Sequence, residues 1–87
     1  MYDIEFSVKA AKTYSKLQAK LRANIDAKLI LIAKKPYAKH NNVKPLKGME
    51  SCYRLRVGDW RVIYRIINRQ VTIVIIKIAH RKEVYRT

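Results

Sequence analysis

Two alternating apolar and polar runs, 52–57 and 60–67, meet at the dipeptide Gly58-Asp59, and this junction constrains the chain more than any other feature. A two-residue connection with glycine first suits a tight β-hairpin. Such a turn fixes the register, so that Val57 faces Trp60 and Arg56 faces Arg61. Arg54 then shares their face, because side chains alternate along a strand. Like charges directly opposite on a sheet repel by roughly a few tenths of a kcal/mol or more. The hairpin carries no acidic residue on that face to balance them. Either the arginines splay into water as a solvated surface, or an anion covers them.

The type of cation changes along the chain in the same sense. Beyond Tyr53 the basic residues are Arg54, Arg56, Arg61, Arg65, Arg69, Arg81 and Arg86 against only Lys77 and Lys82, whereas before Cys52 Arg22 is the sole arginine among lysines. Lysine is a hydrated point charge suited to a solvated helix face, while the flat guanidinium fork matches phosphate oxygens in pairs. Twenty basic residues against six acidic ones give a formal charge of +14, which repels itself unless something anionic is bound. Nucleic acid is the leading partner on these grounds, followed by an acidic protein. A membrane surface fits poorly, because the cations do not lie opposite one continuous apolar helical face.

With 87 residues, 49% of them apolar, the chain is read as one domain over residues 1–87. Its longest apolar runs, 29–33 and 71–76, fall far short of the roughly 20 residues of a membrane-spanning helix. The start, Tyr2-Asp3-Ile4-Glu5, has neither the basic stretch nor the apolar block of a secretory signal. Cys52 is the single cysteine, so no internal disulfide forms and a cytoplasmic location is expected. Cys52 reads as a small buried packing residue rather than a nucleophile. Scattered carboxylates and one thiol supply no clustered ligands, so neither a metal nor a cofactor is expected.

Tyr2, Ile4 and Phe6 alternate with polar neighbours as in a half-buried strand, and Ser7 is placed to cap a following helix. Val8, Ala11, Tyr14, Leu17 and Leu21 then form one apolar stripe, with Lys9, Lys12, Lys16 and Lys20 facing water. A second helical pattern through Ile25, Leu29, Ile32 and Ala33 stops at Pro36. The pair reads as a helical hairpin bent near Ala19 to Ala23. Residues 36–50 hold both prolines, one glycine and Asn41-Asn42, and read as a crossing loop pinned by Val43 and Leu46 or contributing to a site. Strand patterns follow at roughly 52–57, 60–67 and 70–79.

After the last strand, I-A-H-R-K-E-V-Y-R crowds His80, Arg81, Lys82 and Tyr85 together. His80 is one of only two histidines, with His40 in the loop. Metal-free RNA cleavage needs a base for the ribose 2′ proton, cations for the charge building on phosphate and an acid for the departing 5′ oxygen. Arginine, histidine and tyrosine together supply those parts. Trp60, on the strand face opposite Arg61, reads as core. Glu83 reads as an ion-pair partner and Asp59 as a turn residue, with His40 and Glu50 as lesser candidates.

The order strand, helical hairpin, loop with L-K-G-M-E-S-C-Y-R-L-R, then D-W-R-V-I-Y-R-I and H-R-K-E-V-Y is similar to the RelE branch of the RelE/ParE superfamily of prokaryotic toxins. The resemblance covers essentially the whole chain. It implies a ribosome-dependent endoribonuclease that cuts messenger RNA in the ribosomal decoding site and is silenced by an antitoxin from the same operon. By position, the family's basic pair falls on Arg54 and Arg56, its transition-state arginine on Arg61, its second arginine on Arg81 and its tyrosine on Tyr85. Better-known members carry lysines where this chain has Arg54 and Arg56. An arginine pKa above about 12 makes it a reluctant proton acceptor, which shifts acid-base work to His80 with Tyr85 assisting. Lys9, Lys12, Lys16, Lys20, Arg22, Lys47, Arg65 and Lys82 are the cations that such a toxin would use to grip RNA and the ribosome. An acidic antitoxin segment wrapping the chain is the expected protein partner.

The resulting expectation is an α+β fold, β-α-α-β-β-β, whose small, mainly antiparallel sheet has a helical hairpin on one face and arginines on the other. The rival function is a ParE-like toxin that inhibits DNA gyrase by binding, without nuclease chemistry; a plain RNA-binding module is a third.

Overall fold

The computed structural model describes residues 1–84, the side chain of Val84 excepted. Strand β1 (Asp3–Phe6) lies parallel to β5 (Thr72–His80), with Asp3 opposite Thr72 and Phe6 opposite Ile75. Ser7 joins this pair to the first helix, α1 (Val8–Ser15). Its hydroxyl accepts the Ala10 amide at 3.1 Å and donates to the Ile76 carbonyl at 2.9 Å, so one cap serves helix and sheet together.

That cap sets the phase of α1, and the phase corrects the expected stripe. Ala10 is wholly buried and Leu17 nearly so, while Val8 and Ala11 face solvent. The buried line is thus Ala10, Tyr14 and Leu17, continuing to Leu21. The helical hairpin also breaks earlier than expected. The backbone amides of Lys16 and Leu17 close a tight turn on Thr13 and Tyr14, and α2 runs from Ala19 to Lys34. Arg22 secures the break by donating from Nη1 to the Leu17 carbonyl at 2.6 Å. The Tyr14 hydroxyl donates to the Asp26 carboxylate, 2.7 and 2.8 Å from its two oxygens. Burial, with the Asp26 bond and charge, raises the Tyr14 pKa above the ordinary phenol value.

Ile25, Leu29, Ile32 and Ala33 are the buried positions of α2, as the spacing predicts. Beyond it the chain forms a short strand that the sequence does not announce, β2 (Val43–Pro45), paired antiparallel with β3 (Cys52–Val57). Three residues carrying a lysine and a proline have no apolar alternation to read. Proline is tolerated here because β2 is an edge strand. Val43 packs against the core, and the Leu46 amide donates to the Cys52 carbonyl at 2.9 Å.

The hairpin of β3 and β4 (Trp60–Ile67) has the register that its turn dictates: Val57 opposite Trp60 and Arg56 opposite Arg61. Gly58 takes φ +59°, a value that suits glycine at the first position of the turn. A 3-10 turn at Asn68–Gln70 and a left-handed Val71 delay the start of β5 to Thr72. The five strands order as β1-β5-β4-β3-β2. Leu17, Ile25, Leu29 and Ile32 of the helical layer pack onto Leu55, Val57, Val62, Tyr64, Ile73, Ile75 and Ile78. The four-residue α3 (Arg81–Val84) follows β5 directly.

Tyr64 is fully buried, stacks on Tyr53 with ring centroids 5.5 Å apart, and its hydroxyl has no hydrogen-bond partner among the described residues. Burial raises its pKa far above the ordinary phenol value, with a smaller contribution from Tyr53. Tyr64→Phe is expected to raise the unfolding free energy by about 1 kcal/mol, by removing an uncompensated polar group. The parent also loses stability as pH rises above about 10, where the unfolded phenol ionises before the folded one. Urea unfolding at pH 7 and at alkaline pH checks both effects: the variant should be the more stable at pH 7 and decline less steeply, and a less stable variant contradicts the assignment.

Candidate functional site

The face of the sheet opposite the helices is built from the β3–β4 register. Arg56 and Arg61 stand across from each other, Arg54 lies opposite Ile63, and β2 brings Lys44 opposite Arg54. Asn42, Val43, Lys44, Arg54, Arg56 and Arg61 together line a groove of about 360 Å³. Among the described residues, no carboxylate lines it. Lys44 is the functional candidate that sequence reasoning misses, and it is missed because β2 is.

These cations are held differently. Arg61 is only 8% exposed, and its Nη1 donates to the carbonyls of Gly58 and Trp60, both at 3.0 Å. Its guanidinium is therefore fixed by the turn that sets its register. Arg56 is exposed and donates from Nη2 to Asn42 Oδ1 at 3.2 Å, while its backbone amide donates to the Asn42 carbonyl at 2.9 Å. Arg54 is half-buried. Arg81 opens α3 beside the same turn: its amide donates to the Asp59 carbonyl at 2.7 Å, and its Nε lies 3.7 Å from Asp59 Oδ1.

His80 does not join this group. It is the cross-strand partner of Trp60, which shares the side of the sheet facing Leu17 and Leu21. The two rings meet edge-on with centroids 5.5 Å apart, and His80 Nδ1 accepts the Lys82 amide at 3.3 Å. Strand alternation explains this correction: Ala79, not His80, is the residue opposite Arg61. Proximity to Arg81 in sequence does not carry the imidazole onto the arginine face. Tyr85 lies outside the described residues.

The remaining basic candidates are dispersed. Lys9, Lys12, Lys16 and Lys20 are exposed on or beside the helical hairpin, and Lys47, Arg65 and Lys82 are exposed elsewhere. Arg22 is partly engaged in latching α1 to α2. Arg65 donates from Nε to the sulfur of buried Cys52 at 3.3 Å. Among the described residues, no three histidine, cysteine or carboxylate side chains gather as metal ligands.

Among the described residues the groove is lined by cations and no carboxylate, with the Arg81–Asp59 pair beside it, an arrangement suited to an anion. Residues 4–85 match the family model described as the ParE toxin of the parDE type II toxin-antitoxin system. The chain is 31% identical over 88 residues to the mRNA interferase toxin RelE of Escherichia coli (strain K12), covering 97% of this chain and 90% of that protein. It superposes on isolated E. coli RelE with a TM-score of 0.81 at 26% identity, covering 92% of this chain and 84% of the other. The intact E. coli RelBE toxin-antitoxin complex gives the same score and identity, with coverage of 92% and 96%. The chain belongs to the RelE/ParE superfamily of type II toxin-antitoxin toxins. The described fold is that of its RelE structural neighbours, a mostly antiparallel five-stranded sheet with helices.

If the groove binds a polyanion, Lys44→Ala and Arg56→Ala should each lower the slope of log affinity against log salt for a single-stranded RNA by about 0.7. Lys34→Ala, an exposed cation at the end of α2, should change it less. Equal changes for Lys34→Ala and Lys44→Ala would place binding on overall charge instead.

Proposed function

We propose that the chain is the toxin of a type II toxin-antitoxin pair and an endoribonuclease that cuts messenger RNA on the ribosome. The observation that carries this reading is Arg61, held by the turn carbonyls, beside Arg54, Arg56 and Lys44 in one groove. The 31% identity to a protein named mRNA interferase supports it. In the reaction the ribose 2′ oxygen attacks the adjacent phosphorus, a P–O bond forms, and the bond to the 5′ oxygen breaks. The products are a 2′,3′-cyclic phosphate and a 5′ hydroxyl. Negative charge accumulates on the phosphate oxygens in the transition state, where Arg61, already held by the turn carbonyls, and Arg81 oppose it.

Arg54 and Arg56 bind and orient the backbone, since neither releases a proton near pH 7. With His80 turned to Trp60, this reading assigns proton transfer to Tyr85, whose phenol needs neighbouring arginines to lower its pKa. His80 then caps α3 and positions Arg81. His80→Gln should keep the parental dependence of single-turnover rate on pH. Loss of an imidazole-like ionisation in that variant would return the proton to His80.

The partners in this reading are messenger RNA, ribosomal RNA at the decoding site and an acidic antitoxin segment. The antitoxin is supported by the match to the RelBE complex and by the charge of +14. Electrostatic steering should make toxin-antitoxin association clearly slower at higher salt, and a salt-independent rate would point to a mainly apolar interface. A cytoplasmic location goes with these partners. No helix among the described residues is long and apolar enough to cross a membrane.

The ParE description of the matching family model favours a second reading, inhibition of DNA gyrase by binding alone. Cell-free translation with primer extension on the message, run beside a gyrase supercoiling assay, separates the two. Message cleavage with unimpaired gyrase is expected. Arg61→Ala should slow single-turnover cleavage about a hundredfold, the usual effect of losing one charge-assisted clamp of roughly 3 kcal/mol. A rate within threefold of the parent contradicts the assignment.

A further inference from the structure

The turn between β3 and β4 carries a side chain that the reaction above leaves unused. Its two residues each hold an arginine: Gly58 accepts Arg61 Nη1 at 3.0 Å, and the Asp59 carbonyl accepts the Arg81 amide at 2.7 Å. The Asp59 carboxylate then reaches to 3.7 Å from Arg81 Nε. Both of these side chains are more than half exposed, at 66% and 56%. An ion pair in such a setting contributes little to folding. A carboxylate beside a set of arginines also opposes the binding of a polyanion, so the tight turn explains a small polar residue at this position but not its negative charge.

We propose that Asp59 is a positioning residue for Arg81. Its carboxylate sits on the Nε side of the guanidinium, which leaves the terminal Nη groups as the donors for a phosphate oxygen. The backbone bond fixes where Arg81 begins, the His80 cap on the Lys82 amide fixes the turn that follows, and Asp59 fixes the direction of the charged end. One two-residue turn thereby sets the spacing between the two arginines assigned to the transition state. This proposal rests on the reading of Arg81 as a phosphate-binding group.

The test is a double-mutant cycle with Asp59→Asn and Arg81→Ala, read as single-turnover cleavage of ribosome-bound message. Asp59→Asn should slow the saturated rate about five- to tenfold with little change in half-saturation, as coupled neighbours do. Asp59→Glu should restore the rate to within about twofold. In the Arg81→Ala background, Asp59→Asn should have no further effect. The melting temperature of Asp59→Asn should match the parent, since the backbone bond is untouched. A parental or faster rate for Asp59→Asn, or an equal slowing with and without Arg81, overturns the proposal while leaving the ribonuclease reading intact. If Arg81→Ala cleaves like the parent, or the parent does not cleave, the assignment of Arg81 fails and this proposal fails with it.

Discussion

Two guanidinium groups held opposite one another across a tight turn are a local cost that the rest of the structure accommodates. Arg56 and Arg61 cannot separate without undoing the register, because Gly58 and Asp59 allow one pairing of the flanking strands. The chain lowers the cost by giving each a polar partner, Asn42 for Arg56 and the turn carbonyls for Arg61. None of these partners is charged. Among the described residues the positive charge of this pair is thus not neutralised, and an anion accepting charge-assisted hydrogen bonds here would relieve the repulsion.

The remainder of the fold keeps that face open. A parallel β1–β5 pair places the helical hairpin on one side of the sheet only, and Ser7 ties helix to sheet at the point of crossing. The apolar side chains of the helices and of alternate strand positions form the core on that side. On the other side the same alternation exposes arginines, and β2 extends the sheet by one strand to supply Lys44 as a wall. The turn that sets the hairpin register also contacts Arg81 from beyond the last strand, so residues distant in sequence are indexed to one short segment.

Much of this was legible in the sequence where a local rule decides the outcome. The two-residue turn predicts the Arg56–Arg61 pairing, the Ser7 cap predicts the start of α1, and Cys52 is buried as a small apolar residue would be. Errors arise where tertiary context takes over. The stripe through Val8 and Ala11 is displaced because the cap bond to Ile76 rotates α1 toward Ala10. The helical break falls at residues 16–18 because Arg22 and Asp26 latch the hairpin there, and neither announces a turn. β2 exists only by pairing with β3, so nothing in Val43-Lys44-Pro45 alone reveals it, and Lys44 is lost from the candidate site with it. Adjacency of His80 to Arg81 misleads because β5 ends at His80, whose ring pairs with Trp60, while Arg81 opens α3 beside the turn.

The central claim is that this cationic face stabilises attack by a ribose 2′ oxygen on the neighbouring phosphate. The most direct measurement replaces the nucleotide on the 5′ side of the cut with its 2′-deoxy form in ribosome-bound message and maps the ends of the parent fragments. Cleavage should stop at the substituted position, and fragments from unmodified message should end in 2′,3′-cyclic phosphate and begin with a 5′ hydroxyl. Continued cutting at the deoxy position, or fragments bearing a 3′ hydroxyl and a 5′ phosphate, would show that water rather than the ribose is the nucleophile and would contradict the mechanism.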